Sequence, residues 1–211
     1  MPLLRGDFSL NAANVIAAAE FLQQGLQRLA PTHDLNASQI QQLALGLGPE
    51  QAGQLECVVH QHLPVFHTEH CVFCRFLSDG NSYQDCGHPC EENTVHLRDS
   101  NGADHLVLAD MGCRNTVFNA KAQSGAHHIE ELRQAGVRHF RIELVDEPAS
   151  KVVPLLEGYA EVLAGTKSVA ELWGWMETLP DANGRMHGVT SGSLENRVER
   201  DRESFRKANA Q

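Results

Sequence analysis

The ten residues Gln54 to Leu63, QLECVVHQHL, read as a strand. Val58 and Val59 are β-branched, and the apolar run around them is too short for a buried helix. On its C-terminal side comes a stretch of another kind, HTEHCVFCRFLSDGNSYQDCGHPC, residues 67–90, with four cysteines, three histidines and no clear periodicity. Loops at that end of the strands in α/β proteins carry the chemistry. Strand and loop together predict an α/β protein that presents a ligand-rich loop at the edge of its sheet.

Working outward, the N-terminal side alternates short apolar runs with helical patterns, the signature of βα units and a largely parallel sheet. PLLRGDFSLN predicts a strand end running into a loop. AANVIAAAEFLQQG predicts a helix whose apolar face includes Val15, Ile16, Phe21 and Leu22, with Gly25 at its C-terminal cap. LQRLAPTHDLN predicts a short strand and polar turn, and ASQIQQLALGLG a second helix, capped by Asn36 and ended by glycine. Beyond the Cys-rich segment, TVHLRDSNGADHLVLAD predicts a β-hairpin turning at Asn101-Gly102, a lid or insertion. HHIEELRQAG and VRHFRIELVDE restore the helix-then-strand order. ASKVVPLLEGYAEVLAG predicts a helix kinked or interrupted near Pro154, and SVAELWGWMETL a last helix that packs Trp173 or Trp175.

The expected organisation is one domain over residues 1–178, with a Cys-rich insertion at about 60–120 and a polar, charge-rich, flexible tail over 179–211. An apolar share of 42% in 211 residues suits one folded core. No run of about 18 apolar residues is present, and MPLLRGDFSLN lacks the apolar segment of a secretory signal, so the expected location is cytoplasmic. The net charge of −10 argues against a broad grip on nucleic-acid phosphates.

A reducing compartment keeps thiols unpaired, which turns clustered cysteines toward metal binding or catalysis. Cys71, Cys74, Cys86, Cys90 and Cys113 fall within fifty residues, in C-x2-C and C-x3-C pairs plus one more. Two centres fit: tetrahedral zinc, and an iron–sulfur cluster held by four thiolates. Spacing does not separate them, and by spacing alone zinc leads. His67, His70 and His88 lie near enough to complete a zinc site, though twelve histidines in the chain place some there by chance. Cys57, inside the strand, reads as a small core hydrophobe.

GDFSLNAAN, THDLN, HLPVFHTEHCVFC, DCGHPC, LRDSNGADHLVLADMGCRNTVFNA and LRQAGVRHFRIELVDE, in that order, resemble the C-terminal half of the peptidase U32 family over roughly residues 3–165. The resemblance implies a TIM-like (β/α) barrel, of which this chain holds the later strands only, since such a barrel needs about 250 residues. It also implies that the chain is a fragment, starts inside a longer protein, or pairs with a second copy or another chain that completes the barrel. The family was named for collagenase-like proteolysis, while other members bind a [4Fe-4S] cluster and support oxygen-independent hydroxylation of ubiquinone precursors or RNA bases. Carried over motif by motif, Cys71, Cys86, Cys90 and Cys113 are the implied cluster ligands, with Cys74 a spare or exchangeable one. Where many members read KIEGR, this chain has RIELVDE, which keeps Glu143.

Proteolysis needs an activated nucleophile or a metal-bound water, and neither H-E-x-x-H nor G-x-S-x-G occurs. For hydroxylation the cluster would carry electrons while polar residues past the strand ends hold a small molecule, an RNA base or a peptide. The candidates are Asn11, Asn14, His33, Asp34, Asn36, Arg114 and Asn119, with Arg114, Asn119 and Glu143 the catalytic expectation. A third reading makes the site a structural zinc that staples the loop of an interaction module.

Overall fold

The computed structural model describes residues 3–145, 147–180 and 188–195. Four short strands run parallel. β1 (Arg5–Gly6) pairs with β2 (Arg28–Leu29), an isolated bridge joins Leu29 to Leu55, and β3 (Glu56–Gln61) pairs with β9 (His139–Ile142). α1 (Val15–Gln23) and α2 (Ala37–Ala52) connect the first three, and α4 (Ile129–Gln134) precedes β9. Their apolar faces meet in one core of Ala18, Leu22, Leu29, Ile40, Leu43, Leu55 and Leu132, which includes Cys57 as expected. Every residue of β3 is buried, so the opening stretch is the central strand of its sheet.

Local chemistry explains the helix ends. Asn14 caps α1 through Oδ1, which accepts from Ala17 N at 2.9 Å. Asn36 and Gln39 form a reciprocal capping box on α2, and Ser168 and Glu171 form another on α6 (Val169–Met176). Gly48, at φ 77°, breaks α2 four residues before its end, close to where the glycine stop was expected. α5 (Ala149–Ala164) runs through Pro154 as one helix instead of stopping there. α5 and α6 bury Leu155, Tyr159, Leu172 and Met176 against Val59 and Ile129, while Trp173 and Trp175 are only half-buried at the margin of that core.

The largest sheet is antiparallel, which corrects the expectation of a largely parallel one. β4 (Pro64–Thr68), β7 (Asn115–Phe118), β6 (Asp104–Ala109) and β5 (Val95–Arg98) lie side by side in that order. The architecture among the described residues is mixed α/β with several sheets and no closed barrel. The hairpin forms as expected, with Arg98 opposite Asp104. Its turn is longer than two residues: Asp99 N donates to Ala103 O at 2.9 Å, closing three residues with Gly102 at φ 81°. The Asp99 carboxylate accepts from the Asn101 and Ala103 amides and so shapes that turn.

Side chains alternate across this sheet. Val107 and Val117 face each other on one side and pack on Phe73 of α3 (Val72–Leu77), inside the Cys-rich segment. Leu106 and Phe118 line a cavity on the other side. Of the tail expected from 179 onward, the described part packs: Thr190 bridges Gln123 of β8 (Gln123–Ser124), and Leu194 is buried in the first core. The rest of that tail lies outside the described residues.

Candidate functional site

All five clustered cysteines line one cavity of about 400 Å³, walled also by Phe73, Tyr83, Pro89 and Ala109. Three loops bring them there. Cys71 caps α3, its Sγ accepting from Cys74 N at 3.5 Å and lying 3.8 Å from Asn115 Nδ2. Asn115, fully buried, also accepts from Val72 N at 2.6 Å and so fastens this turn to the sheet.

The second loop turns on Gly80. A Cβ there would overlap the Asp85 carbonyl and stand 2.7 Å from Cys86 Cα, so only glycine lets the 78–86 loop close against itself. Cys74 Sγ donates to Gly80 O at 3.4 Å. Asp85 holds the turn by accepting from the Asn81 and Ser82 amides at 2.9 and 2.7 Å, which lowers its carboxyl below the usual range. The third contribution is the β6–β7 turn, where Asp110 N donates to Arg114 O at 2.7 Å and Thr116 bonds to Asp110 through their side chains. Cys113 there has φ 59° and His88 has φ 54°, each following a glycine that is also left-handed. Non-glycine residues in that region are strained, and such strain clusters at functional sites.

Burial first, and then the neighbouring Cys86 and Cys71, push the Cys74 thiol up; burial also raises Cys90, with Cys71 and Cys86 adding to it. Such a donor set suits a bound metal or cluster, which supplies the positive charge and deprotonates its ligands. Four of these thiols satisfy the ligand count of a cubane cluster, and the cavity has room beyond a single ion. Among the described residues, no group of three or more His, Cys, Asp or Glu side chains stands ready to hold one metal ion. Of the three histidines, His88 lines the cavity, His70 lines an adjoining cleft with Cys71 and Cys74, and His67 bonds Thr116 Oγ1 at 2.9 Å.

The other expected site residues are scattered. Arg114 beside the cavity is exposed. Glu143 belongs to a charged network in which Arg141 also reaches Asp7 and Glu56. Asn11, at φ 53°, ends a short turn; Asn14 and Asn36 are helix caps. Thr32 Oγ1 reaches Asp34 at 3.4 Å, and His33 stacks on Phe8 with ring centroids 4.2 Å apart.

Asn119 opens onto the cavity behind the sheet, whose main polar groups are not among the sequence-predicted site residues. This second cavity, about 280 Å³, is lined by His60, His62, Glu147 and Lys151 as well as by Leu106, Phe118 and Leu155. The β3–β9 register slips between Val58 and His60, a bulge of the kind that re-aims a side chain. His60 and His62 both place Nε2 3.4 Å from Glu147 Oε1. Their hydrogen bonds hold the Glu147 carboxyl far below the usual range, against the opposing effect of its burial. The signal was available as a His-x-His pair at the end of a buried strand and a Glu-Pro after the last one.

The fold and site define a mixed α/β protein with a five-thiol pocket set on an antiparallel sheet. The sequence profile of peptidase family U32 matches residues 6–202, beyond the end of the motif resemblance at about 165, and the chain belongs to that family. No curated protein and no solved structure gives a significant match to it. None of the described helices is long and apolar enough to cross a membrane.

Proposed function

We propose that the chain is a cluster-binding member of family U32: Cys71, Cys86, Cys90 and Cys113 hold a [4Fe-4S] cluster, Cys74 is the exchangeable fifth thiol, and the protein supports oxygen-independent hydroxylation of a small molecule. The observation that carries this reading is the convergence of all five thiols on one cavity from three separate loops. Bound there, the cluster would supply one-electron transfer. The chain's own part is to hold it: Asn115 directs an N–H at Cys71 Sγ, and Phe73, Tyr83 and Pro89 form part of the wall beside the thiols.

The parallel set β1, β2, β3 and β9 fits the later part of a TIM-like barrel, completed by a second copy or another chain. Phe76, Leu77, Tyr83 and Met111 leave apolar surface near the thiol cavity, which such a partner would cover. The excess negative charge favours a small molecule over RNA as substrate, and a cluster of unpaired thiols fits the reducing cytoplasm. Proteolysis is the alternative reading, and it excludes the cluster at Cys71, because a cysteine that ligates a cluster is not free to attack a peptide bond.

The test is anaerobic purification, an absorption spectrum and metal analysis, repeated with each of the four cysteines changed to alanine. A brown protein with iron and sulfide, bleached in all four variants, is the expected result. A colourless protein that binds one zinc would make the segment a structural staple and overturn the cluster reading.

A further inference from the structure

The four parallel strands begin at one end of the fold, and the first residue of each is charged or titratable: Arg5 in β1, Arg28 in β2, Glu56 in β3 and His139 in β9. The register sets Arg5 beside Arg28 and Glu56 beside His139. β3 runs away from this end, and the Cys-rich segment follows from its other end. Glu56, 4% exposed, meets Arg141 at 3.1 Å, Arg28 at 3.2 Å and Arg5 at 3.8 Å. Arg141 has Asp7 and Glu143 besides, whereas Arg5 and Arg28 share Glu56 alone among the described residues.

A cleft of about 570 Å³ opens beside this row and gathers further cations. Arg28 and His139 line it with Arg133 of α4 and Arg138 of the turn that follows; among the described residues no carboxylate does. Arg138 is exposed and makes no ion pair or hydrogen bond among the described residues. Arg133 reaches Glu130 at 3.3 Å and the Leu163 carbonyl at 3.4 Å, both through Nη1, which leaves its other donors unused. Three guanidinium groups therefore line a cleft whose answering carboxylates, Glu56 and Glu130, lie outside its wall, in a chain of net charge −10. His139 feels the crowding: burial first and then Arg28, with Arg5 and Arg138 adding and Glu56 opposing, hold its imidazole below the ordinary range.

Guanidinium forks converging on one concave place match an anion with several acceptor oxygens, and a phosphate dianion presents enough of them for all three. The cleft is larger than a bare phosphate needs, and Phe140 and Leu163 give it an apolar side that suits an organic body. We propose that this cleft binds a small phosphate monoester, its phosphate held by Arg28, Arg133 and Arg138 and its organic body set against Phe140 and Leu163. His139 donates a ring N–H to a phosphate oxygen. Glu56 is the positioning residue, because its buried carboxylate fixes Arg28 at the cleft. The inference does not rest on the cluster reading, and binding requires no cluster.

The experiment titrates the full chain, at constant ionic strength, with phenyl phosphate, inorganic phosphate or benzoate. Calorimetry reads binding, and NMR of the ¹⁵N-labelled chain follows the His139 ring. Phenyl phosphate is expected to saturate at one equivalent per chain, more tightly than inorganic phosphate and far more tightly than benzoate. Once bound, it should raise the pH at which His139 titrates, because a dianion opposes the field of the arginines. Arg138→Gln should weaken phenyl phosphate at least about tenfold, and Arg138→Lys should recover part of the loss. Both variants should keep the Tm of the unliganded chain, since Arg138 bonds nothing that the fold needs. The proposal is overturned if phenyl phosphate fails to saturate, if benzoate binds as tightly, or if Arg138→Gln binds phenyl phosphate as well as the parent chain. It is equally overturned if the cleft proves to be covered by a second copy, shown by a dimer that Arg138→Gln dissociates and phenyl phosphate does not. A colourless protein that binds phenyl phosphate supports this inference while refuting the cluster.

Discussion

Replacing Tyr159 by Phe removes one oxygen and leaves the ring, which separates what the hydroxyl holds from what the side chain packs. The ring lies in the core with Leu155, Leu172 and Met176 and is 2% exposed, so packing stays as it was. The hydroxyl meets three groups: the Val59 carbonyl at 3.0 Å, Ser124 Oγ at 2.7 Å and His60 Nδ1 at 3.3 Å. Two of these keep a second partner, since Gly125 N also donates to the Val59 carbonyl and Ala126 N to Ser124 Oγ. His60 Nδ1 keeps none, and His60 is fully buried. One orphaned buried donor costs about 1–3 kcal/mol, and two weakened sites about 0.5 kcal/mol each, giving about 2–4 kcal/mol in all. In a chain of this size that lowers Tm by roughly 4–15 °C. Urea unfolding is the assay, with m unchanged because the same surface is exposed. Ser124→Ala, alone and combined with Tyr159→Phe, should couple to it by about 0.5 kcal/mol or more. A loss under about 1 kcal/mol, with no coupling, would refute the argument and mean that His60 is oriented by something else.

Gly80→Ala should displace Cys86 from Cys74 and lower metal or cluster content by half or more. The urea midpoint should barely move, because this loop packs against no core; iron analysis beside a denaturation curve reads both. Glu147 has a folded-state pKa held below its ordinary value of 4.5. Its contribution to stability is therefore fully present above that value and lost as pH falls through it toward the lowered one. Glu147→Gln should flatten the acid limb of a plot of Tm against pH, and an unchanged limb would contradict the pairing with His60 and His62. Leu194→Ala should cost about 2–4 kcal/mol, because Leu194 is 5% exposed in the main core. A loss under about 0.5 kcal/mol would show that residues 188–195 only rest on the surface.

The elements that local chemistry controls were legible. Asn36 caps the helix as expected, Gly48 breaks it, and the hairpin around Gly102 forms, because caps and turns depend on a few neighbouring side chains. Pro154 misled, since one missing amide hydrogen bond does not stop a helix whose Leu155 and Tyr159 are anchored in a core. HLPVFHT carries no clear strand pattern of its own, yet Pro64–Thr68 within it forms β4. Edge strands take their stability from a partner, here β7, and four of its five residues lie over forty positions away in that pairing.

The sequence by itself determined that this chain is α/β, that five thiols serve one region, and that it belongs to family U32, because composition, local spacing and motif order are one-dimensional properties. Only the tertiary structure decided which groups meet. It set the thiols of three loops around one cavity and separated Arg114, Asn119 and Glu143. Behind the sheet it joined His60 and His62 to Glu147, 85 to 87 positions further along the chain. The physical reason is that a strand's two faces, and the slip that turns His60 toward Glu147, are fixed by pairing with distant segments, and no window of neighbouring residues contains that pairing.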